Sequence, residues 1–164
     1  MQKGFSLVEM LVSIAIITII SSVGIQAFAA AQQRARLEED VAKVVQAIRK
    51  AQNNALAPSK SETGTDNSSE KLCSMGIRID GNEIKFFYTI VNTSTCSSSP
   101  IYYGNTTKLN YTTIDPASIT LGFLIPFADS SGSNQPSSNQ PIKLSLGTIS
   151  KSITVTSAGL IKVE

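Results

Sequence analysis

The chain has 164 residues, 14 of them basic and 12 acidic, for a formal net charge of +2. That length fits one domain plus an N-terminal segment, and the charge is too balanced to imply a nucleic-acid partner by itself. Histidine is absent, which removes the commonest general base and the commonest metal ligand, and two cysteines cannot alone build a four-ligand structural zinc site.

Between Lys3 and Arg34 the only charged side chain is Glu9. It lies near the start of an uninterrupted apolar run. Residues 10–25 carry no charge and, with their flanks, are long enough to cross a bilayer as a helix. Lys3 and the Met1 amine favour retention of the N-terminus on the cytoplasmic side. A carboxylate in such a segment is costly and calls for a partner, which the segment itself does not supply.

Three readings compete for this region. A conventional signal peptide would use Ala27-Phe28-Ala29 as its small-residue cleavage site, although the apolar stretch is long for that purpose. A plain membrane anchor explains the length and leaves Glu9 without a role. The third reading uses every residue. The stretch Met1-Gln2-Lys3-Gly4-Phe5-Ser6-Leu7-Val8-Glu9 resembles the class III signal of type IV pilins and type II secretion pseudopilins. That resemblance covers residues 3–20. It implies cleavage after Gly4 by a membrane prepilin peptidase and N-methylation of the new terminal residue, Phe5. It also makes Glu9 the glutamate used in assembly. Cleavage would create a cationic amine on Phe5, about one helical turn from Glu9. In a packed fibre the same amine can meet Glu9 of a neighbouring subunit. Either pairing removes a penalty of a few kcal/mol in lipid, and the second also sets axial register.

No proline occurs before Pro58, and Gly24 is the only glycine between residues 5 and 57. Leu37, Val41, Val44, Val45, Ile48 and Ala55 recur at helical spacing, with Glu38, Glu39, Lys43, Arg49 and Lys50 on other faces. Glu39 and Lys43 form a favourable i,i+4 pair. One helix is therefore expected over residues 5–57, roughly 80 Å long, with only its second half patterned to pack on a globular domain. Gly24 reads equally as a bend or as a small residue at a helix contact. Many major pilins carry a proline near this point. Gln26 stands here instead, which points away from a major pilus subunit.

Residues 59–71 read as a polar loop. Short β-type runs follow at 75–80, 83–91, 101–103, 108–113, 119–125, 142–146, 152–156 and 160–163. Asp80-Gly81-Asn82 is a hairpin signal, and Ser157-Ala158-Gly159 marks another. Residues 128–140 are low in complexity and read as a loop. A helix followed by antiparallel strands is an α+β pattern. It matches what the resemblance implies, a pilin fold with the long N-terminal helix packed on an antiparallel β-sheet. The expected organisation is a leader at 1–4, a transmembrane and polymerisation half-helix at 5–33, an amphipathic half-helix at 34–57 and a β-rich head at 58–164. The helix end and the closing run of residues 152–163 are also similar to the H-type (GspH/FimT-like) minor pseudopilin family.

Cys73 and Cys96 form a structural disulfide if the head is exported, closing a loop that stabilises the fold by roughly 3 kcal/mol. The alternative is two buried free thiols. Asp80-Gly81-Asn82 and Asp129-Ser130-Ser131-Gly132 lack full calcium-loop spacing and read as turns. Asparagine-linked glycosylation patterns at Asn67, Asn92, Asn105 and Asn110 are expected by chance in a chain of this composition. Phe86, Phe87, Tyr88, Tyr102, Tyr103 and Tyr111 are expected in the core. With Lys85, Lys108, Lys143 and Lys151 they also offer a secondary reading, a fibre-tip module for DNA or another surface ligand. The expectation is a non-enzymatic subunit with no cofactor. Its expected partners are other pilin or pseudopilin subunits, the prepilin peptidase, and the cytoplasmic membrane with its assembly machinery. It would begin as a single-pass inner-membrane protein with an extracytoplasmic head and end in a fibre.

Overall fold

The structure, a computed structural model, describes residues 6–57, 72–92, 95–96, 99–125, 141–156 and 159–164, with side chains described except at 22–27, 91–92 and 95–96. Among the described residues one helix, α1 (Leu7–Leu56), precedes β1 (Leu72–Asp80), β2 (Glu83–Asn92), β3 (Thr95–Cys96), β4 (Ile101–Lys108) and β5 (Thr113–Asp115). After these come β6 (Ser118–Leu124), β7 (Ile142–Leu146), β8 (Ile149–Val155) and β9 (Ile161–Val163). With no proline inside it, nothing removes an amide from the ladder of α1. The chain divides into two compact units, Met1–Arg36 and Leu37–Glu164.

The second unit holds the core. Leu37, Val41, Val44, Ala47, Ile48, Ala51 and Ala55 fall on one face of α1 and are buried, as three- and four-residue spacing requires. Two antiparallel sheets meet that face. One has the order β3-β2-β1-β6, with β4 also paired to β2; the other runs β5-β7-β8-β9. Alternate residues of the strands point at the helix: Ile77 and Ile79, Ile84 and Phe86, Ile119 and Leu121, Ile142 and Leu144, Ile153 and Val155. This is the period-two pattern of a sheet with one face on a core. Each fully enclosed aliphatic side chain contributes about 1.5–3 kcal/mol. A smaller cluster of Ala55, Met75, Tyr88 and Ile125 continues the core toward the end of α1.

The turns follow their chemistry. Asp80 pairs with Glu83, leaving Gly81-Asn82 as a two-residue loop in which Gly81 takes φ 58°, a region glycine enters without a Cβ penalty. Leu146 pairs with Ile149, so Gly147-Thr148 makes a second such loop, one the composition of the segment did not announce. β8 and β9 pair antiparallel from Ile153↔Val163 to Val155↔Ile161, as expected of the closing strands; Ser157 and Ala158 of the expected turn lie outside the described residues.

Several expected boundaries move. The run expected at 101–103 continues to Lys108. The strand expected at 108–113 does not form, because residues 109–112 leave the sheet. Asp40, fully buried on α1, accounts for this. Its Oδ2 accepts the amides of Tyr111 and Thr112 at 2.9 and 3.1 Å and the Thr112 hydroxyl at 3.1 Å. Its Oδ1 accepts the Asn110 amide at 3.4 Å and Lys43 Nζ at 3.2 Å. The carboxylate thus takes the amides that a neighbouring strand would otherwise have bonded. The run expected at 152–156 begins earlier, at Ile149, and β3 was not expected. The loops expected at 59–71 and 128–140 lie outside the described residues.

Candidate functional site: the apolar helix start

The backbone ladder of the helix starts at Ser6. The Ser6 carbonyl accepts the amides of Glu9 and Met10 at 3.0 and 3.2 Å. Ser6-Leu7-Val8-Glu9 has the S-x-x-E spacing of a capping box, in which serine is a favoured N-cap and glutamate stands at the third helical position. Glu9 is the acidic residue of the first turn, where the positive end of the helix dipole favours a carboxylate. Glu9 is therefore placed by local helix chemistry before any second chain is considered.

Beyond the cap the helix is apolar on all sides. Every large aliphatic side chain from Leu7 to Ile20 is more than half exposed, from Val12 at 51% to Leu7 at 80%. A water-facing helix normally confines its apolar residues to one stripe, and a continuous surface of this kind marks contact with lipid or protein. The hydroxyls in the stretch are turned inward: Ser13 Oγ donates to the Glu9 carbonyl at 2.7 Å and Thr18 Oγ1 to the Ala15 carbonyl at 2.8 Å. Bonding to the preceding turn lets a hydroxyl do without water. Among the described residues no helix is long and apolar enough to cross a membrane. The side chains of residues 22–27, inside the apolar run, are not among those described.

The other expected site residues fall in different places. Gly4 and Phe5 lie outside the described residues. Cys73 is fully buried at the start of β1, and no free thiol is found among the described residues; the side chain of Cys96, on β3, lies outside them. The four lysines considered for phosphate contact do not form one surface. Lys85 and Lys108 both bind Glu83, at 3.0 and 3.5 Å, while Lys151 on the second sheet binds Glu38 at 2.5 Å. The expected Glu39–Lys43 pair is present at 2.8 Å. Among the described residues no group of carboxylates and cysteines could hold a metal ion. Of the expected aromatic core, Phe86, Phe87 and Tyr88 are buried, whereas Tyr102 and Tyr111 are exposed. Sequence reasoning missed Asp40. Its signal was available: an aspartate inside an otherwise well-formed helix has poor propensity, and such a residue is often held there by a tertiary partner.

Residues 1–25 match the family model described as the prokaryotic N-terminal methylation motif. No curated protein and no solved structure matches the chain.

Proposed function

We propose that this chain is a pilin-like structural subunit of a type IV pilus or a type II secretion pseudopilus. The reading is carried by one coincidence: the methylation motif at 1–25 overlaps a helix whose large aliphatic side chains from Leu7 to Ile20 are all more than half exposed. Such a surface needs lipid or other copies of itself. Insertion of the segment in the cytoplasmic membrane, with the head outside, answers the first need, and helix packing in a fibre answers the second. The role is structural rather than enzymatic.

Processing completes the site in this proposal. A prepilin peptidase cuts after Gly4, and the new Phe5 amine is methylated. Methylation keeps the amine cationic, so it still pairs with a carboxylate. Glu9 of one subunit then meets the Phe5 amine of another as the fibre grows. A subunit out of register would leave two charges unpaired in an apolar interior, which costs several kcal/mol. The antiparallel head with its closing β8–β9 pair supports the finer placement as an H-type minor pseudopilin. A Cys73–Cys96 disulfide in an exported head is part of the same reading.

Intact-mass analysis of the mature chain tests the processing step. A chain starting at methylated Phe5 is expected, and one starting at Ala30 would sink the proposal in favour of an ordinary signal peptide. Glu9→Val tests registration: cleavage and membrane insertion should persist while incorporation into fibres drops at least roughly ten-fold, the effect of losing about 1.4 kcal/mol of pairing. Unchanged incorporation would reject the role given to Glu9.

A further inference from the structure

A groove of about 470 Å3 lies between α1 and β4 within the second unit, and nothing in the assembly reading uses it. Its lining includes Lys43, Gln46 and Lys50 from α1 and Tyr103, Asn105 and Thr107 from β4. The aromatic wall is held in place. The Tyr103 ring lies 6.1 Å from Phe86 and 5.9 Å from Tyr88 between centroids, and its hydroxyl accepts Asn54 Nδ2 at 3.2 Å. The strand bulges here: the β2–β4 register shifts between Ile84 and Phe86, and Gly104 takes φ 69°. A bulge of this kind re-aims the side chains that follow it.

The cations of the groove differ in their commitments. Lys43 is held by Glu39 and Asp40 at 2.8 and 3.2 Å. Lys50 lies 5.2 Å from the Phe86 ring centroid and makes no ion pair with a described residue. The sequence around the groove offers it none: no carboxylate occurs at 41–61 or at 84–114. The side chains of Gln46, Asn105 and Thr107 hydrogen-bond to no other described residue.

We propose that this groove binds an acidic saccharide, a sugar bearing a carboxylate. The Lys50 ammonium supplies a charge-assisted bond to that carboxylate. Gln46, Asn105 and Thr107 each both donate and accept, which is what neighbouring sugar hydroxyls require. The fixed Tyr103 ring offers an apolar face with a polar tip for the C–H face of a pyranose. The volume lies in the small-ligand range of about 300–1,000 Å3. A nucleic acid fits less well, since it asks for several uncommitted cations along a track, whereas Lys43, Lys85 and Lys108 are all bound to carboxylates.

The test uses the full chain in detergent micelles, before any assembly, so its outcome is independent of the fibre proposal. Trigalacturonate is titrated by calorimetry, with maltotriose as the neutral control and an oligothymidylate as the polyanion control. Saturable trigalacturonate binding is expected, weakened roughly ten-fold by Lys50→Gln and by Asn105→Ala, with both variants still folded and unfolding cooperatively. Absence of binding at millimolar trigalacturonate overturns the proposal, as does binding that neither substitution alters. Maltotriose binding of equal strength removes the role of Lys50, and tighter oligothymidylate binding through Lys50 makes the groove a polyanion site. Either result overturns it too.

Discussion

At the scale of single residues, the fully buried Asp40 carboxylate gathers bonds from Lys43, Asn110, Tyr111 and Thr112. Burial by itself pushes the Asp40 pKa up, but the Tyr111 amide, the Lys43 ammonium, the Thr112 hydroxyl and the Asn110 amide outweigh it and leave the pKa below the ordinary value of 3.8. A carboxyl whose folded pKa lies below its unfolded one adds stability that is fully present above the unfolded value. That stability is lost as pH falls through the folded one. Wild-type unfolding midpoints should therefore decline below about pH 4 more steeply than those of Asp40→Asn, which has no charge to lose. Parallel pH profiles would remove Asp40 as the source. Asp40→Ala leaves buried amides without an acceptor and should cost about 3 kcal/mol in denaturant titrations. Asp40→Asn retains one acceptor oxygen and should cost less.

At the scale of elements, the first sheet depends on close approach between β1 and β6. A Cβ on Gly76 would stand 2.1 Å from the Leu121 carbonyl oxygen, 2.8 Å from the Phe87 ring and 2.9 Å from the Gly122 Cα. Two of these are backbone atoms that cannot rotate away. Gly76→Ala should therefore destabilise the unit by about 3 kcal/mol, at the upper end for overpacking, seen as a lower thermal midpoint; a change under about 0.5 kcal/mol would mean that the strands separate freely. This contact was invisible in the sequence, where Gly76 reads only as a weak strand residue. The helix was legible from Leu37, Val41, Val44 and Ile48, because its periodicity is local. Asp80-Gly81-Asn82 was legible for the same reason. The stretch 109–112 was not: Leu109, Tyr111 and Thr112 have strand propensity, and what overrides it is a carboxylate some 70 residues earlier in the chain. The candidate site divides in the same way. Gly4, Phe5 and Glu9 form a contiguous motif, whereas the groove beside β4 joins residues from two distant segments and needs the fold to bring them together.

At the scale of the whole molecule, burial is distributed unequally. Among the described residues the buried apolar ones begin at Leu37, so the described core belongs to the unit Leu37–Glu164, while the large aliphatic side chains from Leu7 to Ile20 are more than half exposed. The two parts thus ask for different solvents. The core should stabilise the second unit in water, since its helix face and both sheets lie within that unit. The first part supplies apolar surface that water penalises at about 25 cal/mol per Å2. A chain shortened to Leu37–Glu164 should therefore fold and remain monomeric in buffer without detergent, with a cooperative thermal transition. The full chain should require detergent, or else sediment as large assemblies. Sedimentation velocity and thermal unfolding of both chains check this. A shortened chain that fails to unfold cooperatively would show that the N-terminal segment contributes to the core. A full chain that stays monomeric in plain buffer would show that the exposed helix needs neither lipid nor copies of itself, and would remove the physical basis of the assembly proposal.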